Sequence, residues 1–240
     1  MRHANGNSNG KSIDITDRAN IQRSFKTVIM DIKLKNSFFA HIRKHAAMSR
    51  AQESQLEGIL DIYEYAKGRR LTQAQIAYIL ATAAHETGFV MQPVREGFAK
   101  SEESARQHVR NLYVAGKIRV NYALPNEHGK SFYGRGLAQI THEANYVKAA
   151  VMLGLPKNTF IDNPDLLLLP EYAIPALVMG MEKGIYTAYK LKDYINNNQT
   201  DFLNARRIIN GLDKAPRIKK YAENFLTAIM TFELNNNTFS

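Results

Sequence analysis

Leu71 to Glu96 reads L-T-Q-A-Q-I-A-Y-I-L-A-T-A-A-H-E-T-G-F-V-M-Q-P-V-R-E, and the rest of the chain is organised around it. Thr72 and Gln75 have the spacing of a capping box, in which each side chain covers the other residue's free backbone N–H. Leu71 and Ile76, on either side of the cap, fit a hydrophobic staple. Ile76, Ile79, Leu80, Ala83 and Ala84 recur at helical spacing, and Gly88 supplies a left-handed stop. The stretch therefore predicts one helix whose last turn carries His85 and Glu86. A helix C-terminus is the negative end of the dipole. A carboxyl placed there among apolar neighbours is expected to have a raised pKa, which suits a general acid near neutral pH. Glu96 comes after a turn and Pro93, where a returning loop can set a second carboxyl opposite the first. On these residues alone, Glu86 reads as a solvated helix-end residue and Glu96 as an ordinary loop charge.

Three further stretches change that reading. They are Phe132 to Tyr146 (F-Y-G-R-G-L-A-Q-I-T-H-E-A-N-Y), the N-P-D-L run beginning at Asn163, and the R-I-I-N-G run beginning at Arg207, with Arg217 and Tyr221 beyond it. With A-H-E-T-G, and in this order, they resemble glycoside hydrolase family 19, the chitinases and their lysozyme-like phage relatives. The resemblance covers roughly residues 53 to 236, and the F-Y-G-R-G segment is its most specific part. It implies a mainly α, lysozyme-like α+β fold: a two-lobed helical domain with a small strand element and a substrate cleft. Plant members carry disulfides and this chain has no cysteine, so it resembles the bacterial and phage branch.

The resemblance also implies roles. Two carboxyls hydrolyse a glycosidic bond by inversion, about 6.5–9.5 Å apart so that a water fits between. Glu86 is expected as the acid, and Glu96 as the base or as the residue that orients the water. The ten-residue spacing between them is shorter than in the plant enzymes, and Glu102, Glu103 and Glu127 are rival bases. Thr141 stands at a hydroxyl position that can hold the attacking water. Gln139 and Asn210 match positions that hydrogen-bond the sugar's N-acetyl and hydroxyl groups. Asn145 and Tyr133 are further groove candidates. Arg135 is expected as an ion-pair partner for a carboxylate of the catalytic region, and Arg207 and Arg217 as either that or sugar ligands.

Other chemistries find less support. H-E-T-G lacks the second His of a zinc H-E-x-x-H helix, since that position is Phe89. No G-x-S-x-G elbow is present. Neither a metal nor another cofactor is expected.

The net charge of +10 is uneven. Residues 1–50 hold ten Lys or Arg against three Asp, leaving about +3 for residues 51–240. The chain thus divides into a basic N-terminal arm, 1–50, and a glycosidase domain, 51–240. Residues 1 to about 15 are Asn-, Gly- and Ser-rich and read as a disordered leader. Ile21, Phe25, Val28 and Ile32 form an apolar stripe that Phe38, Phe39 and Ile42 extend or restart. Such an arm suits contact with an anionic membrane or wall, or packing on the domain; nucleic acid is not expected, for want of interleaved aromatics. No run reaches the ~18 apolar residues of a membrane span, and no signal peptide is recognised at the N-terminus.

Further helices are expected over 54–66, 145–153 and 171–189. Another is capped by Thr200 and stopped at Gly211, and a last one opens at Pro216. Residues 113–131 read as a loop that can form a lid or groove wall, and 133–141 as an extended segment. The expected function is a peptidoglycan glycosidase, muramidase-type and monomeric, made without a signal peptide in a host cytoplasm. It would act on wall glycan strands as an endolysin or virion-associated lysin. A chitinase is the alternative in the same class; a non-catalytic glycan-binding or structural protein on this fold is the alternative in another.

Overall fold

The computed structural model describes residues 32–237. The leader and the stripe residues Ile21, Phe25 and Val28 lie outside them. The described residues are mainly helical. The principal helices are α1 (Ile32–His45), α2 (Glu53–Gly68), α3 (Gln73–Glu86), α4 (Glu102–Val114), α5 (Glu143–Met152), α6 (Thr159–Asp162), α7 (Pro170–Lys183), α8 (Leu191–Tyr194) and α9 (Ala215–Asn237). Short 3-10 turns occupy Glu96–Phe98, Pro164–Leu168 and Asn204–Ile208. The strand content is two small antiparallel pairs: β1 (Val94–Arg95) with β2 (Arg135–Gly136), and β3 (Ile195–Asn196) with β4 (Gln199–Thr200). Among the described residues no helix is long and apolar enough to cross a membrane.

Helix α3 is the centre of the core. Thr72 and Gln75 make the expected reciprocal cap. At the other end Phe89 N–H donates to the Ala84 carbonyl and Gly88 N–H to that of His85, with Gly88 at φ +53°; this is a Schellman stop. The sequence pattern predicts a helix with one buried face. In the structure every residue from Ile76 to Ala84 is buried, because α2, α7 and α9 cover it on several sides. Its alanines let those helices approach closely, and a helix apolar all round belongs in an interior.

Helix α1 falls inside the stretch expected as the arm, and its apolar face is packed into this body. Phe38, Phe39 and Ile42 are buried. The Phe38 ring lies 4.8 Å from Tyr63 on α2 and 5.1 Å from Phe232 on α9. The Tyr63 hydroxyl donates to Glu233 at 2.6 Å.

Two expectations change near the end of the chain. The helix expected over 171–189 is α7, which holds Pro175 inside it and stops at Lys183, with Gly184 left-handed at φ +74°. Thr200 is a strand residue, not a helix cap. The element that follows is a 3-10 turn only five residues long, and Asp201, two residues ahead of its N-cap Leu203, accepts from Asn204 N–H at 3.0 Å.

Candidate active site

The two glutamates arrive on different elements. Glu86 ends α3. The chain then turns back along α2, where Gln55 Nε2 donates to the Phe89 carbonyl at 2.7 Å and Gln92 Nε2 to that of Ser54 at 2.7 Å. Gly58 makes this approach possible: a Cβ there would lie 2.0 Å from the Met91 carbonyl oxygen. The loop then enters β1 and delivers Glu96 at its end.

Glu86 Oε1 accepts from Arg206 Nη1 at 2.7 Å. Arg206 is 4% exposed and its Nε also donates to the Asp213 carbonyl at 3.2 Å. The carboxyl expected to face only the helix dipole and apolar neighbours therefore faces a buried guanidinium. Its second oxygen, Oε2, has no hydrogen-bond partner among the described residues. Beside it, burial pushes the His85 imidazole below its ordinary pKa; the Glu86 charge opposes this, and the Arg206 and Arg217 charges add to it. Earlier along α3, the buried hydroxyls of Tyr78 and Thr82 have no hydrogen-bond partner among the described residues.

Glu96 is held from three sides. Its backbone N–H donates to the Gly134 carbonyl at 2.7 Å, and its Oε2 accepts from Gly134 N–H at 2.7 Å. Its Oε1 accepts from the Tyr122 hydroxyl. A Cβ on Gly134 would fall 3.2 Å from Glu96 Oε2 and 2.8 Å from Gln139 Oε1, so any side chain there would crowd the clamp.

The F-Y-G-R-G segment is buried structure. Arg135, 1% exposed, donates through Nε to Asp165 at 2.7 Å and through Nη1 to the Ser131 carbonyl and the Tyr146 hydroxyl. Its guanidinium lies 3.6 Å from the centre of the Tyr133 ring. Arg95 donates to the other oxygen of Asp165 at 2.6 Å. Burial works against the ionised Asp165, but the two arginines prevail and hold its carboxyl below the usual range. The expected ion-pair role of Arg135 is met by Asp165 of the N-P-D-L run, not by either glutamate.

The remaining candidates separate. Gln139 takes a left-handed backbone, φ +49°, and its Nε2 donates to the carbonyls of Val94 and Gly136, both at 3.0 Å. Its amide hydrogens thus join the hairpin to β1 and are not offered to a ligand. Tyr133 is a correction: its ring is fully buried and its hydroxyl accepts from Arg95, so it cannot line a groove. Asn145 Nδ2 donates to the Thr141 carbonyl at 2.9 Å, at the start of α5. The Thr141 hydroxyl is half-buried and has no partner among the described residues. Asn210 is exposed; its Oδ1 accepts from Gly211 N–H and its amide nitrogen is left available. The rivals Glu102, Glu103 and Glu127 are all exposed, and none touches Glu86 or Glu96 in the bonds described. Arg207 makes no ion pair with either glutamate; its neighbour Arg206 does.

Tyr122 and Arg206 escaped sequence reading. Arg206 stands one position before the R-I-I-N-G run, and no periodicity distinguishes two adjacent arginines in a short turn. Tyr122 sits in a loop without a pattern. Among the described residues no group of three or more His, Asp and Glu side chains is placed to hold a metal ion. No protein-family model, curated protein or solved structure matches the chain.

Proposed function

We propose that the protein is a glycosidase acting on the β-1,4 linked glycan strands of peptidoglycan, with Glu86 and Glu96 as its two carboxyls. One observation supports this reading above the others: both carboxyls are fixed by residues distant in the chain, and two of the stretches that carry the family resemblance, F-Y-G-R-G and N-P-D-L, are joined directly. Glu86 pairs with Arg206 across 120 residues, Glu96 with Gly134 across 38, and Arg135 with Asp165 across 30. A carboxyl held by one oxygen with the other left without a partner among the described residues, as in Glu86, is suited to proton transfer.

In the proposed reaction Glu86 delivers a proton from Oε2 to the leaving glycosidic oxygen while Arg206 fixes Oε1. Glu96, oriented by Tyr122 and Gly134, takes a proton from the water that attacks the anomeric carbon from the opposite face. The C–O bond to the leaving sugar breaks as the bond to water forms. Glu86 ends deprotonated and Glu96 protonated, and exchange with solvent resets both. The unpartnered hydroxyl of Thr141 is suited to hold the water, and the amide nitrogen of Asn210 to meet an N-acetyl oxygen.

Mass spectrometry of products from purified peptidoglycan, with chitin oligomers digested in parallel, tests the reading. New reducing ends on muramic acid are expected. Chitin cleavage alone would assign a chitinase, and cleavage of neither would leave a glycan-binding protein. Glu86→Gln should retain the helical spectrum and lose about 10²–10⁴-fold in rate; a loss under tenfold would remove Glu86 from the acid role.

A further inference from the structure

Helix α4 and the loop after it leave several large apolar side chains exposed. Within α4 only Ala105 and Val109 are buried. Ile118 and Tyr122 fold back onto these two residues, with Ala123 and Tyr133 completing a small cluster. The return is made at Gly116, φ +66°, where Lys117 N–H donates to the Leu112 carbonyl and Gly116 N–H to that of Tyr113. The fold-back leaves Tyr113, Val114, Val120 and Leu124 outside, with Val114 77%, Val120 59% and Leu124 65% exposed.

Between the acidic first turn of α4, Glu102 and Glu103, and Glu127, the charge has one sign. Residues 104–126 contain Arg106, Arg110, Lys117 and Arg119 and no Asp or Glu. None of these four cations forms an ion pair among the described residues, whereas Lys35, Arg69, Arg95 and Arg135 each do. A second copy of the chain does not suit this surface, since two patches of the same sign repel. An anionic polymer would satisfy the cations and leave three aliphatic side chains in water. A bilayer bearing anionic headgroups satisfies both, with basic groups at the headgroups and aliphatic ones below them.

We infer that the tip formed by the end of α4 and residues 115–124 docks on an anionic phospholipid surface. This surface is distinct from the basic N-terminal residues and does not depend on the glycosidase reading.

The chain contains no tryptophan, so Val120→Trp in the full-length protein installs a single reporter at an exposed position. Its emission should shift to the blue with vesicles of phosphatidylcholine and phosphatidylglycerol at 3:1, and not with phosphatidylcholine alone. In vesicle sedimentation, K117Q/R119Q should weaken partition by about fivefold per cation removed. V114S/V120S/L124S, which keeps every charge, should weaken it by at least about tenfold. Both substitution sets lie on the exposed surface, and unchanged circular dichroism checks the fold. An unshifted reporter, or a serine variant that binds as the parent does, overturns the inference, because the N-terminal residues would then account for any binding. An oligonucleotide bound equally by the parent and the serine variant would assign the surface to a polyanion and overturn it as well.

Discussion

Tyr122 makes a single contact with an expected catalytic group, and that contact is a hydroxyl on Glu96 Oε1. Removing the hydroxyl leaves the ring packed on Ala105 and Val109 and Glu96 still clamped by Gly134. Tyr122→Phe should therefore cost about 1 kcal/mol or less in stability while lowering kcat on peptidoglycan about tenfold, measured beside thermal unfolding of the same samples. An unchanged kcat would leave the tyrosine a purely structural residue. Single residues were also where sequence reading reached least far. Glu86 ends its helix as the capping and stop signals indicated, because a helix end arises from local pattern. Tyr133 and Gln139 turned inward because burial of a ring and the bonding of an amide to backbone depend on what lies across the fold. Arg206 was passed over for Arg207 for the same reason.

Elements carry two further predictions. Asp165 on the Pro164–Leu168 turn ties β1 to β2 by receiving Arg95 and Arg135 at once. Its carboxyl is held below the ordinary range in the folded state, so its contribution is present above the unfolded pKa of about 3.9 and is lost as pH falls below it. Denaturant midpoints measured from pH 6 to pH 3 should drop for the wild type and fall less steeply for Asp165→Asn, which also starts lower. Gly58→Ala would put a methyl 2.0 Å from the Met91 carbonyl. The loop between α3 and β1 must then move off α2, at about 1–3 kcal/mol, and the displaced Glu96 should take activity with it. A thermal scan and the lytic rate would show both losses. At this scale the sequence was informative: caps, stops and apolar spacing marked α2, α3, α5 and α9. The β3–β4 hairpin was invisible, since strands of two residues each are too short to show a period.

For the molecule as a whole, the resemblance anticipated a mainly helical chain with a small strand element, and the charge pattern suggested a boundary at residue 50. Charge, however, does not report packing. Helix α1 is basic in its last turn and buries Phe38, Phe39 and Ile42. Each such side chain is worth about 1.5–3 kcal/mol when buried, against a total stability of about 5–15 kcal/mol. Deleting residues 1–50 should thus lower the unfolding midpoint severely or prevent folding, as calorimetry would show; a midpoint within a few degrees of the parent would mean that the aromatic contact with Tyr63 and Phe232 is dispensable. The pairing of Glu86 with Arg206 has a different consequence, one of timing. The two residues are 120 positions apart. A ribosome adding roughly 5–20 residues per second leaves an interval on the order of 6–24 s between making one and making the other. Throughout it the nascent α3 lacks the guanidinium at its end and the cover of α9 along its length. Both carboxyls of the expected acid–base pair are thus synthesised early, but Glu86 stays without its guanidinium partner until Arg206 has been made and brought to it.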